Sequence, residues 1–434
     1  MTTARPVTPG QAGARSGLLR ASTAGFVAAF VGFASSFAVV LQGLVAVGAD
    51  RTQAASGLMA LSVAMGACGI FLSLRSRLPI SVAWSTPGAA LLAGSATPDG
   101  GFPAAVGAFL VTGVLLVVSG WWKPLGRWVS AIPKPLANAM LAGILLPLCL
   151  APAHAVASDP GIGLAVVLTW AVVGSVRRLY AVPAAVVVAM ALIATTTHIP
   201  ADSLGPLWPH PVLVAPHVTA SALIGIALPL YVVTMASQNI PGVAVLNANG
   251  YAPEPGPLFG WTGGFSLLSA PLGGHAVNLA AITAALCAGD EAGPDRARRY
   301  RAAVVAGAVY VLLGLGAAAA VAFVDASPPN VIEAVAGLAL LGALGGALTA
   351  ALADAGQRES AVVTLVVTVS GVTFFGVSGA FWGLAAGGAL YAVRHRQSRR
   401  EAARAAAAPD GTQCEDEPEG GAAGLRLSSG SPRT

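Results

Sequence analysis

The sequence predicts an all-α integral membrane protein of about fourteen transmembrane segments. They form two inverted repeats of seven, with broken helices at spans three and ten. Three observations carry that prediction. The 434-residue chain is 56% hydrophobic and 9% charged, with a mean hydropathy of +0.75, far from soluble averages. Uncharged stretches recur along it, and about 20 apolar residues per span divide them into roughly fourteen. Two of them, Pro79–Ser95 and Pro271–Gly289, look like one device built twice.

In order, the first seven segments are 24–48, 53–74, 79–96, 103–121, 133–151, 161–176 and 181–197. The second seven are 218–238, 257–270, 272–289, 302–324, 330–350, 360–375 and 377–393. They make a first repeat at 21–200, an inter-repeat loop at 201–217 and a second repeat at 218–395. Residues 1–20 and 396–434 are a different material. The latter carries Asp410, Glu415, Asp416, Glu417 and Glu419 among Gly, Ala and Ser. Such a segment cannot bury a core, so both tails are expected to be disordered, and cytoplasmic.

The charges supply an independent test of this order. Fourteen spans from a cytoplasmic N-terminus put Arg75/Arg77, Lys123/Arg127/Lys134, Arg177/Arg178, the cluster from Arg296 to Arg301, and Arg358 on the cytoplasmic side. Of 23 Lys and Arg, only Arg51 falls outside, as the positive-inside rule requires. The net charge of +5 is therefore a topology signal, and a nucleic-acid surface is the weaker reading. The four cysteines show no CxxC spacing and read as core residues or free thiols. No cleavable signal peptide is evident, because the first apolar run is too long.

Echoes along the chain support the duplication. SSFAVVLQGLVAVGA around Gln42 returns as VVTMASQNIPGVAVL around Gln238, at an offset of 196. PKPLANAMLAGILL returns as SPPNVIEAVAGLALL at an offset of 194. The two devices share about that offset. An odd number of spans per repeat inserts the second upside down, and inverted repeats place substrate near the midplane at their interface.

Each device opens with proline, passes through small, polar or aromatic residues, and becomes an uncharged Ala-rich helix. In a membrane that reads as a broken span whose helix begins at the bilayer midplane. A helix N-terminus attracts anions, and paired broken helices mark the substrate site of many secondary transporters.

No Asp, Glu, Lys or Arg lies deep within any assigned span, and buried charges are usually functional. Their absence argues against a carboxylate-lined cation transporter and against a membrane enzyme, which needs a catalytic constellation. No cofactor or metal site is expected. Uncharged polarity remains: Gln42 in span one, Ser85, Thr86, Pro87 and Gly88 in the break of span three, Ser237, Gln238 and Asn239 closing span eight, and Gly274, His275 and Asn278 in the break of span ten. Singly, such groups bond local helix carbonyls; clustered on symmetry-related segments, they make a binding site. His275 alone among the histidines falls in a span core. Imidazole titrates near physiological pH, so His275 is either the proton-coupling group or a neutral side chain that fixes the break. Phe33, Phe37 and Trp84 flank the same region, as core or as stacking partners for an aromatic ring. Glu333 and Asp354, at the ends of span twelve, are weaker coupling candidates.

The stretches PISVAWSTPGAALL, LPLYVVTMASQNIPGVAVL and GGHAVNLAAITAALCAG resemble signatures of the benzoate membrane transporter (BenE) family, and the resemblance covers about 20 to 395. It implies proton symport of an aromatic carboxylate across the inner membrane, and distant kinship with nucleobase and sulfate permeases. It also implies fourteen spans in core and gate domains, with a homodimer as a family-level expectation. Gln42 matches a polar residue of sulfate-permease relatives. His275, before Ala281-Ile282-Thr283, and Ser237 to Asn239 fall where nucleobase permeases carry acids. The missing acids weaken the nucleobase-permease alternative and suit an anionic substrate. The carboxylate is then expected between opposed helix N-termini, held by backbone N–H groups near Ser85–Gly88 and Gly274–Ala276. A passive anion or small-solute channel on the same fold is the other alternative.

Overall fold

The computed structural model describes residues 9–122, 124, 133–196, 208–372, 374 and 379–407. Lys123, Arg127, residues 201–207 of the inter-repeat loop, and the tail beyond 407 lie outside the described residues. The chain divides into compact units at 1–390 and 391–434. Among the described residues, the second holds only the end of one helix.

The first half runs α1 (Pro9–Ala34), α2 (Phe37–Ala46), α3 (Arg51–Ser76), β1 (Val82–Trp84), α4 (Thr86–Ala93), α5 (Gly101–Trp121), α6 (Lys134–Ser158), α7 (Pro160–Val176) and α8 (Ala181–Thr196). The second runs α9 (Ala220–Ala248), α10 (Pro255–Ser269), β2 (Val277–Leu279), α11 (Ile282–Ala288), α12 (Tyr300–Leu315), α13 (Ala317–Ala326), α14 (Pro329–Leu352), α15 (Arg358–Val369) and α16 (Gly379–Ala407). Each of the fourteen expected segments falls on one helix, one pair of abutting helices, or one strand–helix unit. Among the described residues, seven helical stretches are long and apolar enough to cross a membrane. They become eight when α12 and α13, bent by 57°, count as one span.

Small residues set the helix crossings, as is common where lipid removes the usual hydrophobic drive. Gly66 of α3 faces Gly307 of α12, where each residue's missing Cβ leaves room for the other's backbone carbonyl. Gly120 of α5 meets Gly256 of α10 in the same way, with the Gly260 backbone beside it. Further contacts lay α14 along α6 and α1 along α12.

Three details depart from the sequence reading. The fold is all-helical in class, as expected, with one small addition, a two-stranded antiparallel sheet of β1 and β2. The helix expected to close at Ser237–Asn239 continues to Ala248. It does so through π-helical turns at Leu223–Ala227 and Met235–Asn239. Each wide turn stands just before a proline, Pro229 and Pro241, which lacks an N–H and crowds the preceding carbonyls. The tails are helical at 9–20 and 396–407, where disorder was expected. Adding residues to an existing helix avoids the nucleation penalty, and the Ala, Arg and Glu of 396–407 are good helix formers.

The start of α3 yields a prediction. Asp50 Oδ1 accepts from the Gln53 N–H at 2.8 Å and the Thr52 hydroxyl at 2.6 Å, while Gln53 Oε1 accepts from the Asp50 N–H at 3.0 Å. The Thr52 hydroxyl first, then the Gln53 N–H, holds the Asp50 carboxyl below its ordinary value. A depressed carboxylate stabilises the fold above its unfolded pKa and loses that contribution as pH falls through the folded one. Asp50→Ala is therefore expected to cost about 1 kcal/mol at neutral pH. The gap should close as pH falls below about 3.9, measured by thermal unfolding in detergent.

Candidate functional site

The two strands meet edge to edge. Val82 faces Leu279, Ala83 faces Asn278 and Trp84 faces Val277. The ladder extends with Ala280 N–H to the Ser81 carbonyl at 2.9 Å and Ser85 N–H to the Ala276 carbonyl at 3.0 Å. Non-helical backbone in an apolar interior must find internal partners, and here each strand supplies the other's.

Helix α9 pins both strands from one side. Thr234 donates to Ser85 Oγ at 2.8 Å, and Asn239 Oδ1 accepts from the Leu279 N–H at 2.9 Å. Ser85 also caps α4, accepting from the Gly88 N–H at 3.1 Å. On the opposite side, the Thr283 and Ser81 hydroxyls share a bond of 3.1 Å. The far end of α11 is closed by Arg299, only 5% exposed. It donates to the carbonyls of Ala288 at 2.8 Å and Gly293 at 2.7 Å, and to Asp290 at 2.5 Å. A cation at a helix C-terminus is favourable; the sequence reading had counted Arg299 only as a loop charge.

Between the strands, the α1–α2 break, α12 and α14 lies a cavity of about 130 Å³. Its polar wall comprises Ser35, Ser36, Thr86, Gln238, Thr283 and Tyr310; Leu145 and Ala339, Leu340 and Ala343 supply apolar surface. Trp84 also lines it, anchored by its indole N–H, which donates to Ser36 Oγ at 2.9 Å. Phe33 backs that ring at 5.3 Å between centroids and stacks on Phe37 at 5.7 Å. A Cβ on Gly32 would meet the Tyr310 hydroxyl and the Thr283 methyl, so the cavity requires glycine there.

Of the residues singled out by sequence, Trp84, Thr86, Pro87 and Gln238 line this cavity. Ser85, Gly88, Asn239 and Asn278 lie behind it. They hold the strands and the start of α4, with Asn278 buried at the centre of the ladder. Ser237 turns back to the Val233 carbonyl at 2.5 Å.

Two expectations are corrected. The N–H groups near Ser85–Gly88 and Gly274–Ala276 are not free to hold an anion as a set. Those of Ser85 and Gly88 are bonded as described, Gly274 donates to the Ser269 carbonyl at 3.0 Å, and Ala276 donates to His275 Nδ1 at 2.7 Å. The second helix begins at Ile282, because β2 occupies the intervening residues. Secondly, His275 and Gln42 stand apart from the small cavity. His275 is fully buried with its ring edge-on to Phe109 at 6.3 Å, and its Nε2 has no partner among the described residues.

Gln42 lines a larger cavity of about 710 Å³ together with Arg51, His154 and Glu333. The same elements border both spaces in succession. Helix α6 gives Leu145 to the small one and Pro147 and Leu148 to the large; α4 gives Thr86 and Ala93; α14 gives Leu340 and Ile332. The two spaces are thus consecutive along the bundle. Among the described residues no group of His, Cys, Asp and Glu could hold a metal ion.

Sequence reasoning missed Ser35, Ser36, Thr234, Thr283 and Tyr310. The Ser35-Ser36 pair interrupting an apolar run was the available signal for the break in the first span; Tyr310 carried none.

A multi-span helical bundle, interrupted by two facing strands beside a largely apolar cavity with hydroxyl and indole groups in its wall, is the architecture of a membrane transporter. The comparisons agree. The family model described as benzoate membrane transport protein (BenE) matches residues 18–393, and the chain belongs to that family. Inner membrane protein YdcO of Escherichia coli (strain K12) is 39% identical over 370 residues, covering 85% of this chain and 94% of that protein. The benzoate membrane transport protein of Acinetobacter baylyi (strain ATCC 33305 / BD413 / ADP1) is 31% identical over 381 residues, covering 86% and 95%.

Among solved structures, SLC26A9 aligns with a TM-score of 0.59 at 12% identity, over 86% of this chain and 65% of that one. The transmembrane domain of the cyanobacterial bicarbonate transporter BicA aligns with a TM-score of 0.54 at 15% identity, over 86% and 97%. At such identities the likeness is one of fold.

Proposed function

We propose that the protein is a proton-coupled symporter that imports benzoate or a related aromatic carboxylate across the inner membrane, with the small cavity as its substrate site. The observation that carries this reading is that cavity. It sits where two facing strand–helix units meet, with an indole ring on one wall and hydroxyl groups on the others. Its volume of about 130 Å³ is on the order of the ~150 Å³ apolar cavity that admits benzene. The first residues of α4 and α11 border it through Thr86 and Thr283, so both helix dipoles favour negative charge there.

In this reading all fourteen segments span the membrane as seven plus seven inverted repeats, with broken helices at the third and tenth and both termini cytoplasmic. Its support is that the facing strands fall at the same offset as the sequence echoes. Spans one to four and eight to eleven form a core that moves against a gate, and the larger cavity is the vestibule on the Arg51 side. The protein assembles as a homodimer.

A carboxylate is ionised at neutral pH, so accumulation against a negative interior needs the proton. His275 is the coupling residue. It lies behind β2, and protonation of Nδ1 would break the bond from the Ala276 N–H, loosening the turn that positions the strand.

The test is uptake of labelled benzoate into proteoliposomes under an imposed proton gradient. A symporter concentrates the label, whereas a channel only equilibrates it and would displace this reading. His275→Ala is expected to abolish gradient-driven accumulation while leaving exchange at equal pH; unchanged accumulation removes the coupling role.

A further inference from the structure

Tyr310 projects from α12 into the wall of the small cavity. It is 2% exposed, and among the described residues its hydroxyl has no partner in hydrogen-bond geometry, although Thr283 stands beside it. Buried polar groups nearly always have a partner, and an orphan calls for a reason. The neighbouring hydroxyls are turned elsewhere, and none of them meets Tyr310 in hydrogen-bond geometry. Ser35 and Ser36 donate to the Gly32 carbonyl at 3.1 and 3.0 Å, and Thr283 is bonded to Ser81.

Gly32 is the second feature. It lies directly beside the Tyr310 hydroxyl, and a side chain there would cover it. A buried donor without an acceptor, faced by bare backbone and opening on a cavity, is a place kept for a ligand atom. Trp84 lines the same cavity, so the ligand that fits both has a flat apolar body and an acceptor oxygen at its edge.

We propose that Tyr310 selects the carboxylate, its phenol donating a hydrogen bond to a substrate oxygen; this rests on the aromatic-acid reading above. A phenol stays protonated at physiological pH and both donates and accepts. It therefore binds the carboxylate as a donor without adding a buried charge. It can keep hold of the same oxygen when the acid is protonated, since the neutral carboxyl still offers an acceptor. A guanidinium would instead form a charge-assisted pair about twice as strong, which a carrier that must release its cargo would have to break.

The experiment measures benzoate affinity and thermal unfolding of the purified full chain, wild type against Tyr310→Phe, with benzamide as the neutral isostere. The Phe variant should melt at or above the wild-type temperature without ligand, because it removes an unsatisfied buried donor. It should bind benzoate about tenfold or more weakly and narrow the preference for benzoate over benzamide, whose uncharged carbonyl accepts the weaker bond. A merely structural tyrosine would lower the melting temperature and leave that preference intact.

A folded Tyr310→Phe protein with wild-type benzoate affinity overturns the proposal. If that variant does not fold, Gly32→Ala, which covers the hydroxyl from the other side, must produce the same loss; wild-type affinity there also overturns it. A wild-type protein that binds no benzoate overturns the aromatic-acid reading instead.

Discussion

Trp84→Ala is expected to reduce aromatic-acid uptake below detection and to destabilise the protein by about 3–5 kcal/mol, the usual range for an aromatic deleted from a packed interior. Three roles end together. The indole N–H no longer donates to Ser36, whose hydroxyl also ties the α1–α2 break to the Gly32 carbonyl. Phe33 loses the ring it packs against. The cavity loses its aromatic wall and merges with the space left behind.

Trp84→Phe separates these roles. It keeps a ring but not the N–H, and should cost about 1 kcal/mol with uptake retained at a raised KM. Detergent melting and proteoliposome uptake measured together distinguish the two variants. If Trp84→Ala transports normally, the ring does not bound the substrate site.

The second large effect is expected at the crossing of α3 and α12. A Cβ at Gly307 would lie 2.6 Å from the Gly66 carbonyl oxygen and 2.7 Å from the Ile70 side chain. The nearest obstacle is backbone, so no rotamer change relieves it and the helices must separate. Gly307→Val is expected to cost about 3 kcal/mol, the upper part of the overpacking range. It should also impair uptake, because Gly307 stands one turn before Tyr310 on the same helix face. Gly345→Ala is the control, since nothing lies within 4 Å of a Cβ there. Its melting temperature should stay within about a degree or two of wild type, surface changes being worth less than about 0.5 kcal/mol.

Much of the architecture was legible because hydropathy and charge report each segment locally. The same is true of the strand–helix device at Pro79–Ser95, whose Ser85 cap and following proline announce where α4 begins. In its counterpart at Pro271–Gly289 the helix start was expected too early, because the start of α11 has no such signal. Ala280 and Ala281 suit a strand end or a helix equally, and the boundary is set by β1, far away in sequence. The polar triad Ser237–Asn239 read as a helix end for a related reason. Composition cannot show that a π-helical turn before Pro241 lets the helix continue.

Around the small cavity, Trp84, Thr86, Pro87 and Gln238 were legible because they interrupt apolar runs. Tyr310 was not, since one tyrosine in an Ala- and Val-rich helix looks like any core aromatic. Its meaning comes from Gly32 on another helix. His275 is the converse case. Its chemistry is conspicuous in the sequence, yet it packs against Phe109 behind the ladder rather than in the cavity wall.

The most direct test is a structure of the full chain determined with benzoate bound. The ligand is predicted between the α1–α2 break and the β1–β2 pair, its ring against Trp84 and a carboxylate oxygen at the Tyr310 hydroxyl. Benzoate seated instead in the larger cavity beside Gln42 and Arg51, with the small cavity unchanged, would contradict the account.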